Sequence, residues 1–153
     1  MAFNKAKEYL KNYKLDKKVL EFKESSATVS DAAKAIGCEE REICKTLSFL
    51  VGEEAILVLV AGDSKIDNRK FKDCFNVRAR MIPFDDVEKY IGHAPGGVCP
   101  FGINEGVKVY LDVSLKQMEI VYPACGSSNS AVKLTINELE KCSNFEKWVD
   151  VCK

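Results

Sequence analysis

The sequence has little of what catalytic and metal-binding sites commonly use. It contains a single histidine, His93, and therefore cannot supply a zinc-finger pattern. Its seven cysteines include no C-x-x-C pair, which disfavours a thiol redox protein. A serine hydrolase, a P-loop NTPase and a dinucleotide-binding enzyme are disfavoured because their G-x-S-x-G, G-x-x-x-x-G-K-S/T and strand-linked G-x-G-x-x-G motifs are missing. We therefore predict no metal and no cofactor.

Charge and hydropathy disfavour further classes. Lys+Arg and Asp+Glu are equal at 23 each, so a general affinity for DNA or for an anionic membrane is not expected. Contact with RNA would need a local basic patch. The longest apolar run, 55–61, is far too short to cross a bilayer, and residues 1–5 open no signal-peptide pattern. These features predict a cytoplasmic location with mostly reduced cysteines.

The hydrophobic pattern predicts one α+β domain over residues 1–153, with a mixed, barrel-like sheet flanked by helices. The composition is globular, with 46% apolar and 30% charged residues. The continuous apolar run 55–61 predicts a central strand that is covered on both faces. Helical segments are predicted at 4–13, 28–37, 39–42, 67–75, 83–91 and 137–141, and strands at 18–23, 45–51, 55–61, 77–81, 107–113, 119–122 and 132–134.

Residues 92–102 form the richest concentration of glycine and proline in the chain. Four glycines and two prolines lie here together with His93, and Val98, Cys99 and Phe101 provide apolar anchors. Such a composition indicates a shaped loop rather than a flexible linker. The wall of a binding site and a buried connection with two tight turns both remain open on composition alone.

Three further features could carry chemistry. Lys45 precedes an apolar strand, where it either guards a sheet edge or points into a cleft and binds a phosphate or carboxylate. His93 is either a hydrogen-bonded structural residue or a functional polar group. The small-residue segments 96–98 and 126–129 either form turns or present N–H groups and hydroxyls to a substrate carbonyl.

Four motifs resemble the YbaK/EbsC family of aminoacyl-tRNA deacylase domains, which are similar to the editing insertion of bacterial prolyl-tRNA synthetases. The motifs are Lys45-Thr46-Leu47-x-Phe49, Gly-Gly-Val-Cys-Pro-Phe-Gly at 96–102, Tyr110-Leu111-Asp112, and Cys-Gly-Ser-Ser-Asn at 125–129. The correspondence runs from about residue 19 to residue 143, with helical extensions at both ends. It implies a barrel-like editing domain that acts in trans on the 3′ acceptor end of a mischarged tRNA, with an aminoacyl-tRNA synthetase as a candidate partner.

The resemblance also implies roles for individual residues. Lys45 matches the key functional lysine, which is thought to anchor the terminal nucleotide. Hydrolysis is expected to use a ribose hydroxyl and water, with no covalent protein nucleophile. The implied substrate-binding set is Thr46, His93, Gly96, Gly97, Val98, Cys99, Gly126, Ser128 and Asn129.

Two positions depart from the family pattern. Ala131 stands where some members carry an aspartate, and Cys99 stands where many carry serine or threonine. The first difference leaves the role of that carboxylate and the amino-acid specificity open, and the second predicts a less polar pocket. A non-catalytic module that binds an aminoacyl-tRNA end or a small ligand remains the alternative. A local basic patch is expected from Lys65, Arg69, Lys70 and Lys72.

Overall fold

The computed structural model describes residues 2–153, so Met1, with which the predicted domain begins, lies outside the described residues. The α-helices are α1 (Ala2–Lys11), α2 (Val29–Ile36), α3 (Asn68–Phe75), α4 (Val87–Ile91) and α5 (Ile136–Cys142). The strands are β1 (Val19–Glu21), β2 (Ile43–Val51), β3 (Glu54–Ala61), β4 (Lys108–Asp112), β5 (Ile120–Pro123), β6 (Ser130–Val132), β7 (Leu134–Thr135) and β8 (Trp148–Val149). Short 3-10 helices are Asp16–Lys18, Glu40–Glu42, Phe84–Asp86 and Val113–Gln117.

The main sheet is mixed and curls into a half-barrel of six strands in the order β7-β5-β2-β3-β4-β8. β2 and β3 are antiparallel, whereas the pairs β2–β5, β3–β4 and β4–β8 are parallel. β5 and β7 are antiparallel, and β1 and β6 form a separate two-stranded sheet. The predicted α+β class with a mixed, barrel-like sheet is confirmed.

The β2–β3 hairpin forms the centre of the molecule. A two-residue turn joins the strands, and its first residue, Gly52, has a φ of 65°, which fits the turns that tight hairpins prefer. Along β3, Leu57 and Leu59 pack into the larger hydrophobic cluster, while Val58 and Val60 pack into a second cluster on the opposite face. Both faces are therefore covered, which confirms the predicted central strand.

Local capping sets the helix ends close to their predicted positions. The Thr28 hydroxyl accepts a hydrogen bond from the Asp31 N–H at the start of α2, and Gly37 ends that helix with a φ of 84°. Asp67 caps α3 in the same way as Thr28 caps α2. Among residues 2–153, the structure has no helix that combines the length and the apolar character needed to span a membrane.

Three strand assignments differ from the prediction. Residues 132–134, predicted as one strand, are divided between β6 and β7, which lie in different sheets. Residues 77–81 do not form a strand, because this segment meets the sheet only at its end, where Met81 forms an isolated bridge with Phe49. Its alternating sequence mimics a strand, but no partner runs beside its full length. Conversely, the segment after α5, for which no strand was predicted, contains the two-residue strand Trp148–Val149, which pairs with the edge of β4. These pairings depend on distant parts of the chain.

Candidate functional site

The main sheet has a gap along one edge of β2. β5 pairs with β2 only at Ile43 and Cys44. Farther along, the Ile82 N–H donates to the Ser48 carbonyl over 3.1 Å. Within residues 2–153, no strand pairs with residues 45–47 on this side. A cavity of about 470 Å³ lies at the gap.

Five segments of the chain supply the cavity wall. The contributing residues, segment by segment, are Ser26–Val29 with Ala32; Ile43–Ser48; Met81, Ile82, Phe84 and Val87; Pro95, Gly96 and Val98; and Tyr122, Ala124, Ser130 and Ala131. The wall is mainly apolar and contains no histidine or carboxylate among the described residues. A cavity of this kind binds a ligand through shape and a few polar groups.

Lys45 is the one cationic residue among the described residues that line the cavity. None of the ion pairs found among residues 2–153 involves its amine. Partial burial lowers the pKa of the Lys45 amine, and Lys65 acts in the same direction, whereas Cys152 and Asp63 oppose the shift without reversing it. A half-buried ammonium group without a carboxylate partner can bind a ligand phosphate or carboxylate.

Thr46 adds a polar group that the fold itself leaves unused. Its Oγ1 is buried and has no hydrogen-bond partner among the described residues. The backbone of Thr46 also faces the gap, because Ser48, two residues on, directs its carbonyl away from β3 to Ile82. Thr46 therefore offers a hydroxyl, an N–H and a carbonyl at one place in the wall.

The glycine-rich loop forms the wall facing β2 through Pro95, Gly96 and Val98. Gly97 does not line the cavity. A Cβ at Gly97 would lie 2.5 Å from the Ser127 backbone nitrogen, and the Gly97 carbonyl accepts a hydrogen bond from the Gly126 N–H over 3.0 Å. The absence of a side chain at Gly97 thus allows the two predicted loops to pack against each other.

His93 and Cys99 lie behind this wall and are fully buried. The His93 Nε2–H donates to the Phe101 carbonyl over 2.7 Å, because a carbonyl oxygen can only accept. Burial lowers the pKa of His93, which favours the neutral ring. The Cys99 Sγ lies 3.5 Å from His93 Nε2. Neither side chain reaches the cavity, so both are placed to shape the loop.

The other predicted loop, 126–129, also acts mainly through internal contacts. The Asn129 Nδ2 donates to the Phe22 carbonyl and its Oδ1 accepts from the Ser127 hydroxyl, each over 3.0 Å. Gly126 packs against the backbone of Ala2. Ser128 is exposed beside Gly96, although it does not line the cavity. Of the predicted site residues, Lys45, Thr46, Gly96 and Val98 are brought together in the wall.

Sequence reasoning missed the apolar side of the cavity. Met81, Ile82, Phe84 and Val87 carry no chemical signature and resemble the start of an ordinary amphipathic helix. Ala131, noted only as a departure from the family pattern, lies in the wall and is buried. The alanine at this family position was the one feature of the sequence that pointed to the apolar side of the cavity.

The cysteines carry no activated thiol. All seven are free, and burial raises the pKa of each of them. Cys44 is the one thiol in the described wall, and its pKa lies far above the ordinary value. Residues 2–153 also contain no group of three or more side chains suited to hold a metal ion.

The fold and the cavity together define a class of protein. It is an α+β domain with a cavity whose polar groups are one ammonium, hydroxyls and backbone amides in an otherwise apolar wall. Residues 23–142 match the model of the aminoacyl-tRNA editing domain. The protein belongs to this family, which confirms the resemblance found in the sequence motifs.

Relatives and solved structures agree with this assignment. The chain is 46% identical over 154 residues to the Bacillus subtilis (strain 168) protein named uncharacterized protein YwhH, covering 100% of this chain and 98% of that protein. It is 32% identical over 97 residues to the proline–tRNA ligase of Limosilactobacillus fermentum, covering 60% of this chain and 17% of the ligase. A crystal structure of a proposed trans-editing enzyme for prolyl-tRNA synthetase matches with a TM-score of 0.89 and 28% identity, covering 99% of this chain and 97% of that one.

Proposed function

We propose that this protein is an aminoacyl-tRNA deacylase that acts in trans on mischarged tRNA. In this proposal residues 1–153 form one editing domain that works in the cytoplasm, where its tRNA substrate is found. The observation that carries it is the cavity at the gap in the sheet, which Lys45 and the glycine-rich loop residues Pro95, Gly96 and Val98 line together, in a chain of the editing family. The apolar wall fits the aminoacyl end, and the ammonium group fits a phosphate.

In the proposed complex, Lys45 binds the phosphate of the terminal nucleotide. Backbone N–H groups near Gly96 and Val98 orient the ester carbonyl and stabilise the oxyanion that develops on it. The Thr46 hydroxyl bonds to the ribose or to the ester. Gly97, Cys99, His93 and the 126–129 loop hold the glycine-rich wall in shape.

Hydrolysis then needs no nucleophile and no general base from the protein. Water attacks the carbonyl carbon, the ester C–O bond breaks, and the ribose oxygen leaves with a proton. The neighbouring ribose hydroxyl orients the water and relays the proton, because no histidine or carboxylate lies in the described wall to act as a general base. Cys44 is not a nucleophile in this scheme, because burial keeps its thiol protonated.

The wall also suggests which substrates to test first. Ile82, Val87 and Ala131 present only methyl and methylene groups, which fits a small, uncharged amino acid better than an acidic or basic one. The similarity to proline–tRNA ligases makes tRNA for proline the first choice and prolyl-tRNA synthetase the first candidate partner.

Only part of the predicted basic patch is available to the tRNA. The Lys70 amine is engaged by Asp150 over 3.2 Å and by the Cys152 carbonyl over 2.9 Å. Lys65 lies close enough to Lys45 to affect its pKa. We therefore expect the acceptor stem to approach on the Lys65 side of the cavity.

The test is deacylation of a panel of mischarged tRNAs by the wild type, Lys45→Ala and the control Lys141→Ala. Lys141 is exposed on α5 and does not line the cavity. Losing a charge-assisted phosphate contact worth about 1.5–3 kcal/mol lowers kcat/KM roughly 10- to 150-fold, whereas the control keeps wild-type rates. Equal rates for wild type and Lys45→Ala refute the role of Lys45. Failure of the wild type on every tRNA refutes the deacylase itself.

A second candidate function is a non-catalytic module that binds an aminoacyl-tRNA end. The observation in its favour is the same lack of a general base in the described wall. A non-hydrolysable aminoacyl-adenosine analogue separates the two functions. Saturable binding of the analogue without turnover of any aminoacyl-tRNA would assign the chain to this second function.

A further inference from the structure

The mouth of the cavity carries an exposed apolar pair. Phe84 is 74% exposed and Met81 is 57% exposed, and both line the cavity. The third large apolar side chain found well exposed in residues 2–153 is Tyr13, which lies near the end of α1 and away from the cavity. Exposed aromatic surface beside a polar ligand site commonly marks a contact surface for a ligand.

The backbone holds Phe84 in this exposed position. Ile82 and Val87 on either side of it are buried in the larger hydrophobic cluster. The Ile82 N–H is bonded to β2, and the Asp86 N–H closes the turn by donating to the Pro83 carbonyl over 2.8 Å. Because both flanks are fixed, the backbone of Phe84 is held at the mouth of the cavity. Ligand binding would then have to order only the rotation of the side chain.

The charges around the cavity separate its two ends. The segment that carries Met81 and Phe84 has a net negative charge, because Asp85, Asp86 and Glu88 outnumber Arg80 and Lys89. The opposite end carries Lys45, whose amine forms no ion pair among the described residues, although the Asp63 carboxylate and the Lys65 amine lie close enough to affect its pKa. A phosphate therefore belongs at the Lys45 end, whereas an uncharged ring system is better suited to the Phe84 end.

The spacing of the two ends follows from the sheet register. Met81 lies opposite Phe49, which is four residues after Lys45 on β2. Four strand residues span about 13 Å. The charged neighbours of the Lys45 amine, Asp63 and Lys65, follow the end of β3 that lies opposite Cys44, away from Phe49. The two ends of the cavity are therefore separated by about the length of one nucleotide with its contacts.

We propose that Phe84, supported by Met81, is the platform on which the terminal adenine base of the tRNA stacks while Lys45 binds the phosphate of the same nucleotide. This inference rests on the proposed function. Every tRNA ends in the same CCA sequence, so the platform positions the substrate whichever amino acid is attached. Phe84 is accordingly a positioning residue, and stacking on it is insensitive to the rest of the tRNA.

The test measures binding of a 5′-phosphorylated CCA trinucleotide by calorimetry. Phe84→Ala is expected to bind it about 5- to 150-fold more weakly, the range that loss of one base–aromatic stack gives. Phe84→Trp keeps the affinity, and the matched control Tyr13→Ala leaves it unchanged. In deacylation, Phe84→Ala raises KM and leaves kcat close to that of the wild type, a split that general loss of structure does not produce.

The outcomes separate the platform from the deacylase. Phe84-dependent binding of CCA by a protein that deacylates nothing upholds the platform and refutes the proposed function. Lys45-dependent deacylation with equal CCA affinity for wild type and Phe84→Ala overturns the platform alone. The platform is also overturned if the wild type does not bind CCA, or if Phe84→Ala abolishes self-association in sedimentation without changing CCA affinity.

Discussion

Replacing Thr46 by valine should make the protein more stable and less active. The Thr46 Oγ1 is buried and has no partner in the described structure, and leaving such a group unpaired costs about 1–3 kcal/mol. Valine has the same shape and the same branching at Cβ, so the exchange removes the hydroxyl with little change in packing or rotamer preference. We expect the free energy of unfolding to rise by about 1 kcal/mol, which corresponds to roughly 2–4 °C in Tm for a chain of this size.

The activity should change in the opposite direction. If the Thr46 hydroxyl bonds to the ribose or the ester, its removal costs the substrate one hydrogen bond of about 0.5–1.5 kcal/mol, or roughly 2- to 10-fold in kcat/KM. Chemical denaturation gives the stability, and deacylation of the responsive tRNA gives the activity. Thr46→Ser, which keeps the hydroxyl, should retain most of the activity.

Ser143 provides a matched control for this prediction. Its Oγ is also buried without a partner in the described structure, but it lies outside the cavity wall. Ser143→Ala should therefore raise the stability and leave kcat/KM unchanged. The reasoning is refuted if Thr46→Val lowers the stability, because the hydroxyl would then have a partner, or if Thr46→Val gains stability and keeps full activity.

Two further predictions concern the glycine-rich wall and the lysine. Gly97→Ala should lose about 1–3 kcal/mol of stability and most of its deacylation activity, because the new Cβ meets the Ser127 backbone. The control Gly106→Ala, at a φ of 86° and with open space around it, should lose about 1 kcal/mol of stability through backbone strain alone and keep its activity. Equal activities of the two variants would contradict a role for loop packing. Burial lowers the pKa of Lys45, so CCA binding should be strong at low pH and weaken as the pH rises through that lowered pKa. Lys45→Arg should extend binding to higher pH, because arginine stays charged. Identical pH profiles for the two proteins would show that Lys45 does not bind the phosphate.

The parts of the fold that depend on residues close together in the sequence were predictable. The β2–β3 hairpin follows from two apolar runs and a glycine turn, and α2 follows from Thr28 and Gly37 at its ends. The predicted strand at 77–81 was wrong and the strand β8 was missed. In both cases the deciding factor was whether a partner strand lay alongside, and alternation within one segment does not contain that information.

For the candidate site, the sequence by itself determined which polar groups are available. The lack of a catalytic histidine set, metal ligands or a paired-cysteine motif left one lysine and two small-residue loops, and the family motifs joined them in one hypothesis. Lys45, Thr46, Gly96 and Val98 do lie in one wall. Lys45 and Thr46 lie about fifty residues before Gly96 and Val98. No local pattern links the two pairs, so only the family resemblance predicted that they share one site.

Only the tertiary structure decided where the cavity opens and which residues face it. The gap beside β2 exists because β5 leaves the strand after Cys44 and a different segment returns at Ser48. In the folded chain, His93 is buried behind the wall and Phe84 is exposed at the mouth. The sequence determines which side chains are present. Which of them a ligand can contact depends on burial, and burial is a property of the whole packed molecule.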